Sequence, residues 1–223
     1  MVISFVYWRI SNPSHQPKEL PAKLIALESS RGKKLLSDST VRADFVPLQA
    51  VFETQSKISF CGVASSVAVI RATGIDVSLT QSNFFERTTE ETVSELAVTF
   101  GGMTLAELTD LVRAHGAVTS VTFSSATTLQ GFRRRLKKNL ENPNNFFLVN
   151  YDRSALEQGS GGHISPAAAY HTASDRVLIL DTAAYKWPSA WVPLPDLFRA
   201  MSAIDNDSGE SRGFLEVESA TSK

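Results

Sequence analysis

The chain has one cysteine, Cys61, and it stands in the stretch FETQSKISFCGVASSVAVI a few residues after Gln55. A thiolate attacks carbonyl carbons, and it needs three kinds of help: a base, a group that orients the base, and donors for the developing oxyanion. The segment after Cys61 reads as a buried helix that starts at the cysteine. At a helix start, unpaired N–H groups and the helix dipole favour an anion and lower a thiol pKa. The Gln55 side-chain amide, beside the Cys61 backbone N–H, would complete a donor pair. The competing reading of a lone cysteine in an apolar helix is a small buried hydrophobe.

Four histidines are candidate bases. His15 lies in a proline-containing N-terminal stretch. His115 falls at a helix C-terminus, where a cation is welcome on dipole grounds alone. His171 borders a turn. His163 differs, because glycines precede it in GSGGHISP and it starts a strand. The TASD turn, residues 172–175, folds the chain into a hairpin that sets residue 163 opposite roughly residues 181–184. Asp181, at the end of RVLILD, then meets His163 at one end of a ladder, as a base and its orienting carboxylate must.

The elements that would carry these groups follow from the pattern. A helix over Ile25–Leu36, interrupted by Gly32, is expected, then the Cys61 helix closed by Gly74. MTLAELTDLVRAHG has a capping-box pair, Thr104 and Glu107, an apolar face, and a terminating Gly116. VTSVTF is a strand, and Thr128 opens a helix that Pro143 stops. NNFFLVNY, HISPAAAYH, RVLILD and GFLEVES read as strands, with PDLFRAM a short helix between them. Helices first and strands later give an α+β chain. The segment to about residue 24 reads as an irregular arm. Residues 25–223 read as one domain, with a helical lobe over about 25–142 and a β lobe over about 143–223. The helical lobe carries the nucleophile and the antiparallel sheet lobe carries His163 and Asp181.

Composition sets bounds. With 22 basic against 23 acidic residues, no field of either sign recruits nucleic acid or a membrane. The basic run Arg133, Arg134, Arg135, Lys137, Lys138 reads as a solvated helix face. A single cysteine excludes an internal disulfide framework, and no His/Cys/carboxylate cluster has zinc spacing. No metal ligands are assigned. No apolar run reaches membrane-span length. The opening MVISFVYWRI has no basic residue ahead of its apolar patch and no clear cleavage site, which points to a cytoplasmic chain, the periplasm being the other option.

The order Cys, His, Asp is that of papain-like proteins. TQSKISFCGVASSVAVI, GSGGHISPAAAY and LILDTAAYKWPSAWVPL closely resemble phytochelatin synthases, especially the short bacterial and cyanobacterial forms. The likeness runs from about Ser29 to SRGFLEV near the end. It implies a papain-like fold and glutathione as substrate. The cysteine would attack the bond between the γ-glutamylcysteine unit and glycine, releasing glycine and leaving a γ-glutamylcysteinyl thioester. Water or the amine of a second glutathione would then resolve it. By position the resemblance makes Cys61 the nucleophile, His163 the acid/base, Asp181 its partner and Gln55 the oxyanion donor. Asn150, Gly162, Asp205 and Arg212 match positions that bind the γ-glutamyl end. That end bears an α-ammonium and an α-carboxylate, so it wants an acid and an arginine. Arg153 and Lys186 match positions where a base holds the second substrate. The first acylation implies no cofactor. Cadmium or zinc would enter as glutathione thiolates or activators, and a homodimer is expected by likeness. Two departures stand out: Ala184 replaces a usual arginine, and no second cysteine follows, unlike the Cys-rich C-terminal region of the plant forms. Both favour glutathione hydrolysis or slow transfer over polymer synthesis. The rival readings are a peptidase for ordinary peptides and a non-catalytic binder of glutathione or its metal thiolates. The presence of both Asp205 and Arg212 speaks against the first, and the full catalytic set against the second.

Overall fold

In the computed structural model, residues 11–87 and 92–218 are described. Among them are seven α-helices and one seven-stranded antiparallel sheet. Strand β1 is Ile25–Ala26, followed by helices α1 (Ser30–Asp38), α2 (Phe45–Val51), α3 (Cys61–Ala72), α4 (Glu95–Gly101) and α5 (Leu105–Ala114). Then come β2 (Val118–Phe123), α6 (Leu129–Leu140), β3 (Asn145–Asp152), β4 (Gly162–His171), β5 (Arg176–Ile179), β6 (Ala190–Pro193), α7 (Leu194–Met201) and β7 (Gly213–Glu218). The sheet order is β1-β6-β5-β4-β3-β7-β2, so β4 is its middle strand. The architecture is the α+β one expected, with Cys61 on a helix and His163 on the sheet.

Alternation along β3 divides the core. Phe147, Val149 and Tyr151 face α6 and α7, against Phe132, Leu136, Leu197 and Met201. Phe146 and Leu148 face the other side, against α3 and α5 through Ala68, Val69, Leu108 and Val112. Helix α3 is buried all round because its remaining faces also have partners. Val63, Val67 and Ile70 pack with Phe60, Phe84, Val98 and Leu111 in a third cluster. Each such fully buried aliphatic side chain contributes about 1.5–3 kcal/mol. Cys61 stands at the N-terminal end of this helix.

Local signals account for the helix ends. Thr104 and Glu107 form the capping box of α5, and Thr128 accepts from the Gly131 N–H to start α6. Gly74 and Gly116 adopt positive φ, of 76° and 87°, just past α3 and α5. One expected helix divides differently. Residues 25–36 begin as β1, paired with β6, and the helix starts only at Ser30. Gly32 does not interrupt it. Its N–H donates to the Ser29 cap, and a Cβ there would lie 2.0 Å from the Ala26 carbonyl oxygen, so the glycine permits the strand-to-helix turn.

The sheet reaches outside the last third of the chain, since β1 and β2 join it from before residue 143. The Thr172–Ser174 turn closes the β4–β5 hairpin with Asp175 left-handed at φ 49°. A register shift between Ala167 and Ala169 marks a bulge, and β5 ends at Ile179 rather than running on to Asp181. Of the N-terminal arm, residues 1–10 lie outside the described residues. The part beyond is held irregularly along the 185–186 loop, with the Gln16 and Lys18 N–H groups donating to the Tyr185 and Lys186 carbonyls.

Candidate active site

Three neighbouring strands end at one place. Gly162 and His163 begin β4, Asn150 lies near the end of β3, and Arg212 immediately precedes β7. Register ties them: Tyr151 pairs with His163, Asn150 with Ile164, and Asn150 with Gly213 on its other side. The N-terminus of α3 is fastened to the same place. Ser65, one turn into α3, donates to the Ile164 carbonyl at 3.0 Å. Cys61 is thereby set beside His163 across about a hundred residues of sequence.

The ring of His163 is buried and doubly held. Its Nε2 lies 3.0 Å from Asp181 Oδ1 and 2.8 Å from Ser165 Oγ. The imidazole also lies close enough to the Cys61 thiol for each to shift the other's proton affinity. Tyr151 packs edge-on against the ring at 5.6 Å. Asp181 is 2% exposed. Its Oδ1 also accepts from the Ala183 N–H at 2.9 Å and from Arg153 Nη2 at 2.7 Å.

The electrostatics follow from these contacts. Burial pushes the Cys61 thiol up, but the hydrogen bond and charge of His163 outweigh it, and the thiol pKa is lowered. Burial and Arg153 push His163 down, while Asp181 and Cys61 push it up, and the net is upward. Burial alone would raise Asp181, yet His163 and Arg153 hold it far below the usual carboxylate range. Both shifts move the pair towards a thiolate beside an imidazolium, over a carboxylate held ionised.

A cavity of about 250 Å³ opens on this set. Gln55, Cys61, Asn150, Arg153, Gly162, His163, Lys186, Asp205 and Arg212 all line it, and Asp181 sits behind the imidazole. Every residue singled out from the sequence is thus at or directly behind one cavity. At the end away from Asp181, Arg212 Nη1 donates to Asn150 Oδ1 at 3.0 Å and pairs with Asp205 Oδ2 at 2.9 Å. The turn between Ile204 and Ser211, which bridge as a strand pair, brings acid and base together. Two buried donors there, Asn150 Nδ2 and Arg212 Nε, have no partner among the described residues. A buried donor left unmet costs about 1–3 kcal/mol, which an acceptor bound in the cavity would recover. Gly162 allows the packing: a Cβ on it would lie 2.4 Å from Arg212 Nη1.

Two side chains are arranged differently from expectation. Gln55 is in the cavity wall, but its Nε2 donates to the carbonyls of Lys57 and Ile58, at 2.9 and 2.5 Å, rather than towards Cys61. Its backbone N–H is held by the Thr182 carbonyl. Arg153 is 5% exposed and engaged with Asp181 and Gln158, whereas Lys186 is only partly buried.

Several contributors escaped the sequence reading. Ser165 is the second residue after His163 on the same face of β4, and strand alternation could have found it. Tyr151 is the cross-strand partner of His163, so correct pairing of β3 would have shown it. Gln81 had no signal. Its amide accepts from the Ser56 N–H and donates to the Thr54 carbonyl, clamping the backbone on both sides of Gln55. The other histidines lie elsewhere. His115 is buried against Phe84 at 4.6 Å, and His171 caps its own turn through Ser174. Among the described residues no His/Cys/Asp/Glu group could hold a metal ion, and no helix is long and apolar enough to cross a membrane.

Comparison with known proteins agrees with this geometry. The phytochelatin synthase family model matches residues 15–214. Glutathione gamma-glutamylcysteinyltransferase 3 of Lotus japonicus is 33% identical over 201 residues, 86% of this chain and 42% of its own length. Glutathione gamma-glutamylcysteinyltransferase 2 of Arabidopsis thaliana is 30% identical over 90% of this chain and 46% of its own. The protein of that name from Schizosaccharomyces pombe is 24% identical over 97% and 54%. The chain spans about two-fifths to half the length of these relatives. The match along nearly all of the chain, Cys61 and His163 included, places it in the phytochelatin synthase family.

Proposed function

We propose that the protein is a glutathione γ-glutamylcysteinyltransferase-like enzyme acting through a cysteinyl thioester. The observation that carries this reading is the joining, in one cavity, of a Cys61–His163–Asp181 set to a buried Asp205–Arg212 pair with unmet donors. The first supplies acyl transfer, and the second suits a free amino-acid end. The γ-glutamyl carboxylate accepts from Arg212 and Asn150, and its ammonium faces Asp205.

Sγ of Cys61 attacks the cysteinyl carbonyl carbon of glutathione. A C–S bond forms and the carbonyl electron pair moves onto oxygen. The Cys61 N–H, in the first turn of α3 where donors lack intrahelical acceptors, faces that oxyanion. Gln55 joins it by releasing one N–H from the Ile58 carbonyl. Collapse breaks the C–N bond, and the departing glycine nitrogen takes the proton from His163. The neutral imidazole next removes a proton from the acceptor as it attacks the thioester, and Cys61 leaves as thiolate.

The acceptor side of the cavity offers Lys186, with Arg153 held by Asp181 and alanine at 184. This favours water over a second glutathione as acceptor, and γ-glutamylcysteine as the main product. In this reading cadmium or zinc arrives as a glutathione thiolate complex, and the chain works in the cytoplasm as a homodimer.

The test is incubation with glutathione, with and without cadmium, followed by mass spectrometry. Free glycine, γ-glutamylcysteine and a γ-glutamylcysteinyl adduct on Cys61 are expected, and C61A should lose all three while keeping its circular dichroism spectrum. Glycine release surviving in C61A would end the proposal.

A further inference from the structure

Arg153 is buried at the cavity beside Cys61 and His163, yet its hydrogen bonds are made to protein groups. Nη2 reaches Asp181 Oδ1 at 2.7 Å, the same oxygen that holds His163 Nε2. Nη1 is fixed at 3.0 Å by Gln158 Oε1. The backbone is pinned as well: the Arg153 N–H donates to the Gly161 carbonyl, and its own carbonyl accepts from the Gln158 N–H. The segment between is a tight turn capped by Asp152, with Glu157 left-handed at φ 62°. It leads straight to Gly162 and His163. One guanidinium therefore ties the loop before His163 to the carboxylate behind it.

A substrate anion that drew the guanidinium off Asp181 would leave a buried carboxylate short of a partner. Removing one member of such a buried pair is strongly destabilising, because the other charge is left uncompensated. We infer that Arg153 is a positioning residue, which locks Asp181 against His163 and offsets its charge, rather than a binder of the acyl acceptor. This rests on the reading of Cys61, His163 and Asp181 as the reacting set.

The charged and titratable groups around Arg153 are Asp181, His163, Cys61, Tyr151, Tyr185 and Lys186. Arg153 opposes protonation of His163 and favours the Cys61 thiolate. Without its charge, both protons bind more tightly. The offset matters because Asp181 uncompensated would keep the imidazole protonated too firmly to act as a base.

The first readout uses no glutathione. Alkylation of Cys61 by iodoacetamide is followed against pH in the wild type, R153Q, R153M and R153K. The wild type should show two inflections, one as the thiolate–imidazolium pair forms and one as His163 loses its proton. In R153Q and R153M both should move up by about one pH unit, the scale for loss of a nearby charge. R153K keeps the charge, so its inflections should stay. One ammonium cannot serve Asp181 and Gln158 together, so its alkylation should slow several-fold between them. If R153Q or R153M folds, judged by circular dichroism, and its inflections remain at wild-type pH, the proposal is overturned. If neither folds, R153K decides: a wild-type alkylation rate with a raised KM for glutathione would make Arg153 a substrate binder. Absence of two inflections in the wild type would instead count against the catalytic set itself.

Discussion

A single methyl group on Gly162 should separate substrate recognition from thiol chemistry. In G162A the new Cβ would lie 2.4 Å from Arg212 Nη1, 2.8 Å from Cζ and 2.9 Å from Nη2. Ordinary contact begins near 3.4 Å, so the guanidinium must retreat by about 1 Å. It has little freedom to do so, because Nη1 is bonded to both Asn150 and Asp205 and the pair is buried. The displacement therefore breaks one of these bonds or forfeits one to the γ-glutamyl carboxylate. A hydrogen bond to a charged group is worth about 1.5–3 kcal/mol. At about 1.4 kcal/mol per decade that lowers kcat/KM for glutathione by about 10- to 100-fold. Most of the loss should appear in KM, since the contact is made equally before and during reaction. The assay is glycine release against glutathione concentration, with iodoacetamide alkylation of Cys61 as the measure of an intact nucleophile. Alkylation should stay at the wild-type rate. If kcat/KM for G162A stayed within twofold of wild type, Arg212 would not be the recognition element its packing implies.

Two further outcomes follow from burial and charge. The pH dependence of kcat/KM should be bell-shaped, rising as Cys61 ionises at a pH below its ordinary 9.0 and falling as His163 loses its proton above its ordinary 6.5. A single ascending limb near pH 9 would contradict the ion pair. Asp44, at the N-cap of α2, is fully buried with neither carboxylate oxygen partnered among the described residues, and burial pushes its pKa up to about 9. The folded state holds this proton while the unfolded chain releases it above 3.8. Stability from this group is thus full below pH 3.8 and is lost as pH rises towards 9. By pH 7 the loss amounts to about 4 kcal/mol, at about 1.4 kcal/mol per unit. D44N, neutral throughout, should gain on wild type between pH 5 and 8 in urea denaturation. An unchanged difference across that range would refute it.

The hairpin turn at 172–175 and the order Cys, His, Asp carried most of the site, because antiparallel pairing converts turn position into spatial neighbours. The prediction tolerated the Ala167/Ala169 bulge, since Asp181 reaches His163 from beyond the end of β5. The helices α3, α5 and α6 were legible through caps and periodicity. Helix α1 was misplaced because its first residues are apolar enough to suit either state, and pairing with β6 decided between them. Helices α2 and α4 were missed. Each is seven residues long, too short for an apolar period to stand out. The orientations of Gln55 and Arg153 were beyond reach for another reason. Both are set by hydrogen bonds to loop carbonyls and side chains whose positions no local pattern encodes.

The bond from Ser65 to the Ile164 carbonyl has a mechanical meaning. The Thr182 hydroxyl lies 3.4 Å from that same oxygen and from Gln55 Oε1, so a single carbonyl joins the helix of Cys61, the strand of His163 and the loop of Asp181. Substitution at Ser65 or Thr182 would therefore be felt in segments more than a hundred residues away along the chain, through one shared acceptor.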